Sequence, residues 1–382
     1  MTDSALGAIS AAGVSIWLDD LSRSALSDGS LAARISDQHV VGVTTNPTIF
    51  AGAVSKGDAY EGQLAELAAA GADAEAAVLA LTTDDVRSAC DLFADVYAST
   101  DGKDGRVSIE VDPRLAHDTA GTIEAAKLLW RTVDRPNVMI KIPATPEGLP
   151  AITAAIGAGI SVNVTLIFSL DRYRAVAGAY LDGLERAREA GIDLSTIRSV
   201  ASIFLSRIDT KVDAALDEIG GDEAAAVRGQ AAIAGARLAH QVYAEVFSSP
   251  RFGDLADAGA HAQRSLWAST GTKDPAYPDT MYVDELVTAD VVNTMPATTL
   301  AAVADHSSAT GADTVRDRYG QAQQVIDEIQ RLGVRYDAIL QDLETAGVDS
   351  FIASWQELLA TVDAGLQRAN GPGVGSAAPE QA

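Results

Sequence analysis

The sequence predicts an α/β fold, and within that class a single (β/α)8 TIM-type barrel with extra helices and a flexible C-terminal tail. Three observations carry this. About eight short runs rich in β-branched residues are spaced along the chain, and long alanine-rich stretches with helical periodicity separate almost all of them. The 382 residues show no composition shift or Pro/Gly linker before residue 370. A doubly wound sheet uses the same alternation, but eight units in this length fit the closed barrel well. The expected organisation is one domain over residues 1–369 and a disordered tail over 370–382, rich in Gly, Pro, Ala and Ser.

The β runs are Val14–Asp20, Val40–Pro47, Arg106–Asp112, Asn137–Ala144, Ser161–Phe168, Ser199–Arg207, Ser265–Thr270 and Asp290–Pro296. They are mostly apolar throughout, as parallel strands covered on both faces must be. The stretch after the second run is long enough for two or three helices. Leu115–Thr132 places Ile123, Ala126, Leu129 and Trp130 at helical spacing, and Leu170–Ala190 does the same with Ala175, Ala179, Leu181 and Leu184. Asp222–Phe247 reads as one further helix. Thr314–Leu332 and Tyr336–Arg368 follow the last strand.

The net charge of −25 and pI near 4.4 argue against a nucleic-acid or anionic-membrane surface. They leave open a small anionic substrate, because a few local arginines outweigh distant charge. Cys90 is the one cysteine, so no intramolecular disulfide is possible, and its helical surroundings suit a buried structural thiol. No positive segment leads into an apolar one at the N-terminus, and no apolar stretch approaches the ~18 residues that span a bilayer. The expectation is a cytoplasmic protein. The five histidines, at 39, 117, 240, 261 and 306, form no metal-ligand pattern. Gly157-Ala158-Gly159 precedes a strand instead of following one, and Ser269-Thr270-Gly271-Thr272-Lys273 lacks the first glycine of a phosphate loop. Neither metal nor cofactor is therefore expected.

The chemistry is concentrated where the predicted strands end. Lys141 interrupts Asn137-Val138-Met139-Ile140-Lys141-Ile142-Pro143. A buried, unpaired ammonium costs several kcal/mol or gives up its proton, and a neutral lysine amine attacks a carbonyl to form a Schiff base. A lone lysine in such a run is more simply read as salt-bridged or snorkelling out. Its company changes the reading. An acid pair, Asp19-Asp20, ends the first run. Thr44 and Asn46 share a face of the second, Ser108, Glu110 and Asp112 of the third, and Asn163 and Thr165 of the fifth. Each has a plain alternative: Asp19 or Asp20 as a helix cap, Thr44-Thr45-Asn46-Pro47 as a turn, Glu110 in a structural ion pair, Asn163 and Thr165 satisfying each other. In a barrel all five would meet at one mouth.

Gly42-Val43-Thr44-Thr45-Asn46-Pro47-Thr48, Ser108-Ile109-Glu110-Val111, Ile140-Lys141-Ile142-Pro143-Ala144-Thr145 and Asn163-Val164-Thr165-Leu166-Ile167-Phe168-Ser169, preceded by Leu18-Asp19-Asp20, resemble the transaldolases, the longer bacterial type, in order and in length. The resemblance spans residues 14 to about 300 and implies a metal-free class I transfer of a dihydroxyacetone unit between sugar phosphates. It implies Lys141 as the imine-forming lysine and Asp19, the residue after Ile-Trp-Leu, as the acid/base for the C–C bond. Glu110 and Thr165 would hold a proton-relaying water, while Asn46, Asn163 and Thr44 meet the substrate. Ser202 and Arg207 match a serine and an arginine five residues apart that bind phosphate. Ser269 matches a further phosphate ligand, with Lys273 in the region of the family's second basic group. Phe351 and Trp355 on the last helix are candidates for covering the mouth. The same scaffold serves an aldolase that releases dihydroxyacetone, and a sugar-phosphate binder that has lost catalysis is the reading of another class.

Overall fold

A computed structural model describes residues 4–56 and 58–370. Eight parallel strands close into one barrel in sequence order: β1 Val14–Leu18, β2 Val40–Thr44, β3 Arg106–Glu110, β4 Val138–Pro143, β5 Val162–Ile167, β6 Ser199–Phe204, β7 Arg264–Ala268 and β8 Val291–Met295. β8 returns to β1 with Trp17 opposite Thr294. Every strand residue except Val41 is buried, because the interior is filled with side chains and helices cover the outside.

The interior is packed in layers. Ser15, Trp17 and Asp19 alternate along one face of β1. At the floor, Ser15 donates to Asp104 (2.7 Å), and Arg264 donates to both Ser15 (2.7 Å) and Asp104 (3.0 Å). Above it lies the indole of Trp17. Gly42 stands opposite Trp17 in the β1–β2 register, and a Cβ there would come within 2.6 Å of the ring, so only glycine leaves the room.

All eight strands are where the sequence places them, but most run shorter at the C-terminal end. Asn46 caps the helix Pro47–Ser55, its Oδ1 accepting from the Ile49 amide, so Thr44 and Asn46 do not share a strand face. Asp112 likewise caps a short turn and is paired with Arg114. Ser206 and Arg207 already belong to the helix Ser206–Ile219. Between β2 and β3 the described residues form four α-helices, where two or three were expected. Thr119–Val133 and Leu170–Glu189 match the periodicity closely.

The expected helix Asp222–Phe247 is two, Asp222–Val227 and Ala231–Phe247. Gly229 breaks it with φ +69°. Asp213 accepts from the Gly229 amide and Asp209 from the Ala232 amide, so the interruption leaves neither donor unpaired. A 35-residue helix, Tyr336–Asn370, ends the described chain. Asn370 is thus helical, and the rest of the expected tail, 371–382, lies outside the described residues.

Candidate active site

Adjacent strands bring the predicted residues to one end of the barrel. In the β3–β4 register Glu110 stands opposite Lys141, and in β4–β5 Lys141 stands opposite Asn163 and Pro143 opposite Thr165. Lys141 Nζ donates to the Thr45 carbonyl (3.1 Å) and lies 3.5 Å from Glu110 Oε2. Both side chains are at most 5% exposed. Burial pushes the Glu110 carboxyl up to about 7, against the opposing pull of the Lys141 ammonium. Glu110 Oε2 and Thr165 Oγ1 are buried without a hydrogen-bond partner among the described residues. Buried polar atoms rarely stay so, so each of these two atoms is left able to accept a further hydrogen bond.

Asp19 follows β1 at the same end. Thr44 Oγ1 donates to its Oδ1 (2.7 Å). Its carboxyl is raised from its ordinary value chiefly by burial, with Lys141 and the Thr44 hydrogen bond opposing and Asp20 adding. Asp20 is exposed and Asp19 half-buried, and it is the Asp19 carboxyl that Thr44 holds and that feels the Lys141 charge.

Asn163 is held at both ends of its amide. Ser202 donates to Oδ1 (2.7 Å), and Nδ2 donates to Ser108 Oγ (3.0 Å). Ser202, expected beside the phosphate, is thus buried in the barrel with its proton committed to Asn163. Asn46 spends its Oδ1 as a cap and keeps its Nδ2 free of protein partners among the described residues.

Arg207 is half-buried at the start of its helix, with its guanidinium 5.5 Å from the Phe204 ring centroid and no carboxylate within ion-pair distance among the described residues. Beside it, Ser206 Oγ and Ser269 Oγ are 2.8 Å apart, and the Ser206 amide donates to the Ser269 carbonyl (3.1 Å). Ser269 adopts φ +56°, a left-handed turn straight after β7. Ser206 was not singled out in the sequence, although its position before Arg207 at a helix start was a signal. Lys273 is exposed and shares a groove with Ser206, Asp209, Thr210 and Asp213. No hydrogen bond joins it to Arg207 or Ser269 among the described residues.

The C-terminal helix crosses the mouth. The Phe351 ring centroid is 5.6 Å from Lys141 Nζ. Arg172 grips Glu344 with two 3.0 Å hydrogen bonds, and Thr48 donates to Ser354 (2.8 Å). At Gly347 the helix comes so close that a Cβ would meet Leu166 at 3.0 Å. Leu166, next to Thr165, has φ +61° where the β5–β6 register shifts. A leucine there is strained, by about 1–3 kcal/mol. Trp355 lines a cavity of about 260 Å³ with Asn46, Phe50 and Glu110.

Among the described residues no three His, Cys, Asp or Glu side chains converge as metal ligands, and no helix is long and apolar enough to cross a membrane. The chain presents a buried amine, two carboxyls raised by burial, amide donors and an uncompensated arginine at the C-terminal end of the barrel strands. This set can form an imine, move protons beside it and hold an anion.

Residues 16–362 match the family model described as transaldolase/fructose-6-phosphate aldolase. The chain is similar to a transaldolase of Thermobifida fusca, 59% identical over 359 residues, 94% of this chain and 97% of that one. It is similarly close to transaldolases of Mycolicibacterium smegmatis (58% over 364 residues, 95% and 98% of the two chains) and Renibacterium salmoninarum (59% over 361 residues, 94% and 96%).

Proposed function

The chain belongs to the transaldolase/fructose-6-phosphate aldolase family, and from that premise we propose that it transfers a dihydroxyacetone unit through a Schiff base on Lys141. The donor is a ketose phosphate, sedoheptulose 7-phosphate or fructose 6-phosphate. The acceptor is an aldose phosphate, glyceraldehyde 3-phosphate or erythrose 4-phosphate. The reading makes the chain a transferase of the non-oxidative pentose phosphate pathway. The observation that carries it is the buried Lys141–Glu110 pair, 3.5 Å apart, at the barrel end where Asp19 also stands.

Each step has a residue. The Lys141 ammonium gives a proton to the Glu110 carboxylate 3.5 Å away, the freed amine attacks C2 of the ketose, and the carbinolamine oxygen leaves as water to give the iminium. Glu110, near neutral pH in both protonation states, exchanges protons at this step through a water held with Thr165. Asp19 removes the C4 hydroxyl proton and the C3–C4 bond breaks. Its electron pair passes into the iminium, leaving an enamine on Lys141 and a free aldehyde. The enamine C3 then attacks the acceptor aldehyde, protonated Asp19 returns its proton to the new hydroxyl, and water releases the product. Asn46 and Asn163 orient the dihydroxyacetone hydroxyls. Ser202 and Ser108 fix the Asn163 amide. Arg207 takes the phosphate bidentately beside the Ser206–Ser269 pair, and Lys273 is the remaining basic group of that loop. Phe351 limits water at the enamine.

Product analysis tests this. Fructose 6-phosphate with erythrose 4-phosphate should give sedoheptulose 7-phosphate and glyceraldehyde 3-phosphate. Fructose 6-phosphate alone should give almost no free dihydroxyacetone. Rapid dihydroxyacetone release in both cases would make the chain an aldolase, and no reaction in either would leave it a binder.

A further inference from the structure

Thr44 Oγ1 lies 2.7 Å from Asp19 Oδ1 and 2.6 Å from Thr294 Oγ1 of β8, 250 residues away in sequence. We propose that Thr294 is a positioning residue for carbon–carbon cleavage: its hydroxyl donates to Thr44, which holds the single Thr44 proton on Asp19. The proposal rests on Asp19 being the cleavage base.

The direction follows from counting protons. A hydroxyl has one proton, and an ionised carboxylate only accepts. Facing ionised Asp19, Thr44 must donate to it, so the 2.6 Å contact to Thr294 can be a hydrogen bond only if Thr294 supplies the proton. The Thr294 hydroxyl has no other partner among the described residues and is 2% exposed. In this direction both hydroxyl protons have acceptors. In the reverse direction the Thr294 proton has none, an arrangement penalised in a buried site. The chain of hydroxyls therefore favours the ionised, proton-accepting form of Asp19 and fixes its orientation, each bond polarising the next.

Thr294 is well placed to be rigid. It is paired with Trp17 across β8–β1, and its carbonyl accepts from Thr270 Oγ1 (2.8 Å). The other groups facing Asp19 are Lys141 of β4, Glu110 of β3 and neighbouring Asp20. All three remain in a Thr294 variant.

The test is single-turnover kinetics with fructose 6-phosphate from acid to neutral pH. Imine on Lys141 is trapped with borohydride, and glyceraldehyde 3-phosphate release is followed separately. Thr294→Val should form imine within about twofold of the wild-type rate but cleave about 3- to 10-fold more slowly, the usual scale for losing one buried hydrogen bond. The pH midpoint of its cleavage step should move upward. Thr294→Ser should restore both, and Thr294→Ala serves in place of valine should that chain fold poorly. Equal slowing of imine formation and cleavage, or an unmoved cleavage midpoint, would overturn the proposal. Asp19→Asn is run alongside. If it cleaves normally, the assignment of Asp19 fails and this inference with it; if it is blocked while Thr294→Val matches wild type, the inference alone fails.

Discussion

Glu110 and Lys141 face each other across the β3–β4 register with oxygen and nitrogen 3.5 Å apart, both buried, and the glutamate carboxyl raised to about 7 by that burial. Glu110→Gln should keep the fold and slow imine formation by about 10²–10⁴-fold. Rapid-quench trapping of the imine checks it, and a wild-type rate removes Glu110 from the mechanism. Stability gives a second reading. The folded carboxyl binds its proton more tightly than the unfolded one, so Glu110's own contribution to stability falls as pH rises from about 4.5 to about 7. Glu110→Gln should lack this fall, and the gap in Tm between the two chains should shift in favour of the variant across that window.

Asp19 accepts from Thr44 and its carboxyl is buried enough to be raised from its ordinary value, whereas Asp20 is exposed. Asp19→Ala should form the imine but not cleave, so that borohydride fixes the intact six-carbon substrate on the protein. Asp20→Ala should retain most of its activity. Mass spectrometry of the adducts and steady-state rates decide between them, and the reverse ranking would exchange the two residues.

Arg207 has no carboxylate partner among the described residues, in a chain of net charge −25. Arg207→Ala should raise KM for phosphorylated substrates by about 10- to 100-fold, the scale of losing a charged hydrogen bond. Rates with unphosphorylated sugars should change little. An equal loss on both substrate classes would assign Arg207 a structural part.

The sequence shows the strands well because barrel strands are buried on both faces and read as apolar runs. It shows Lys141, Glu110 and Asn163 for the same reason: a polar residue inside such a run is conspicuous. Strand ends are harder. Asn46 and Asp112 satisfy a strand pattern and a cap pattern equally, and the cap wins in the structure, while Ser206 opens the helix that follows β6. The break at Gly229 depends on Asp209 and Asp213 accepting its freed amides, a tertiary arrangement with no local trace. Thr294 gains its meaning from a hydroxyl that arrives from β2, so no spacing rule announces it. The hydrogen bond from Ser202 to Asn163 joins two strands and has no local trace in the sequence.

The central claim is the covalent intermediate, and borohydride reduction in the presence of fructose 6-phosphate followed by peptide mapping tests it most directly. The chain offers competing amines: Lys103 and Lys127 are half-exposed and paired with Asp290 and Glu124, and Lys273 stands on a surface groove. Lys141 alone should carry the adduct, with labelling unaffected by chelators and abolished in Lys141→Ala together with transfer activity. An adduct on another lysine, or full transfer by Lys141→Ala, would contradict the account.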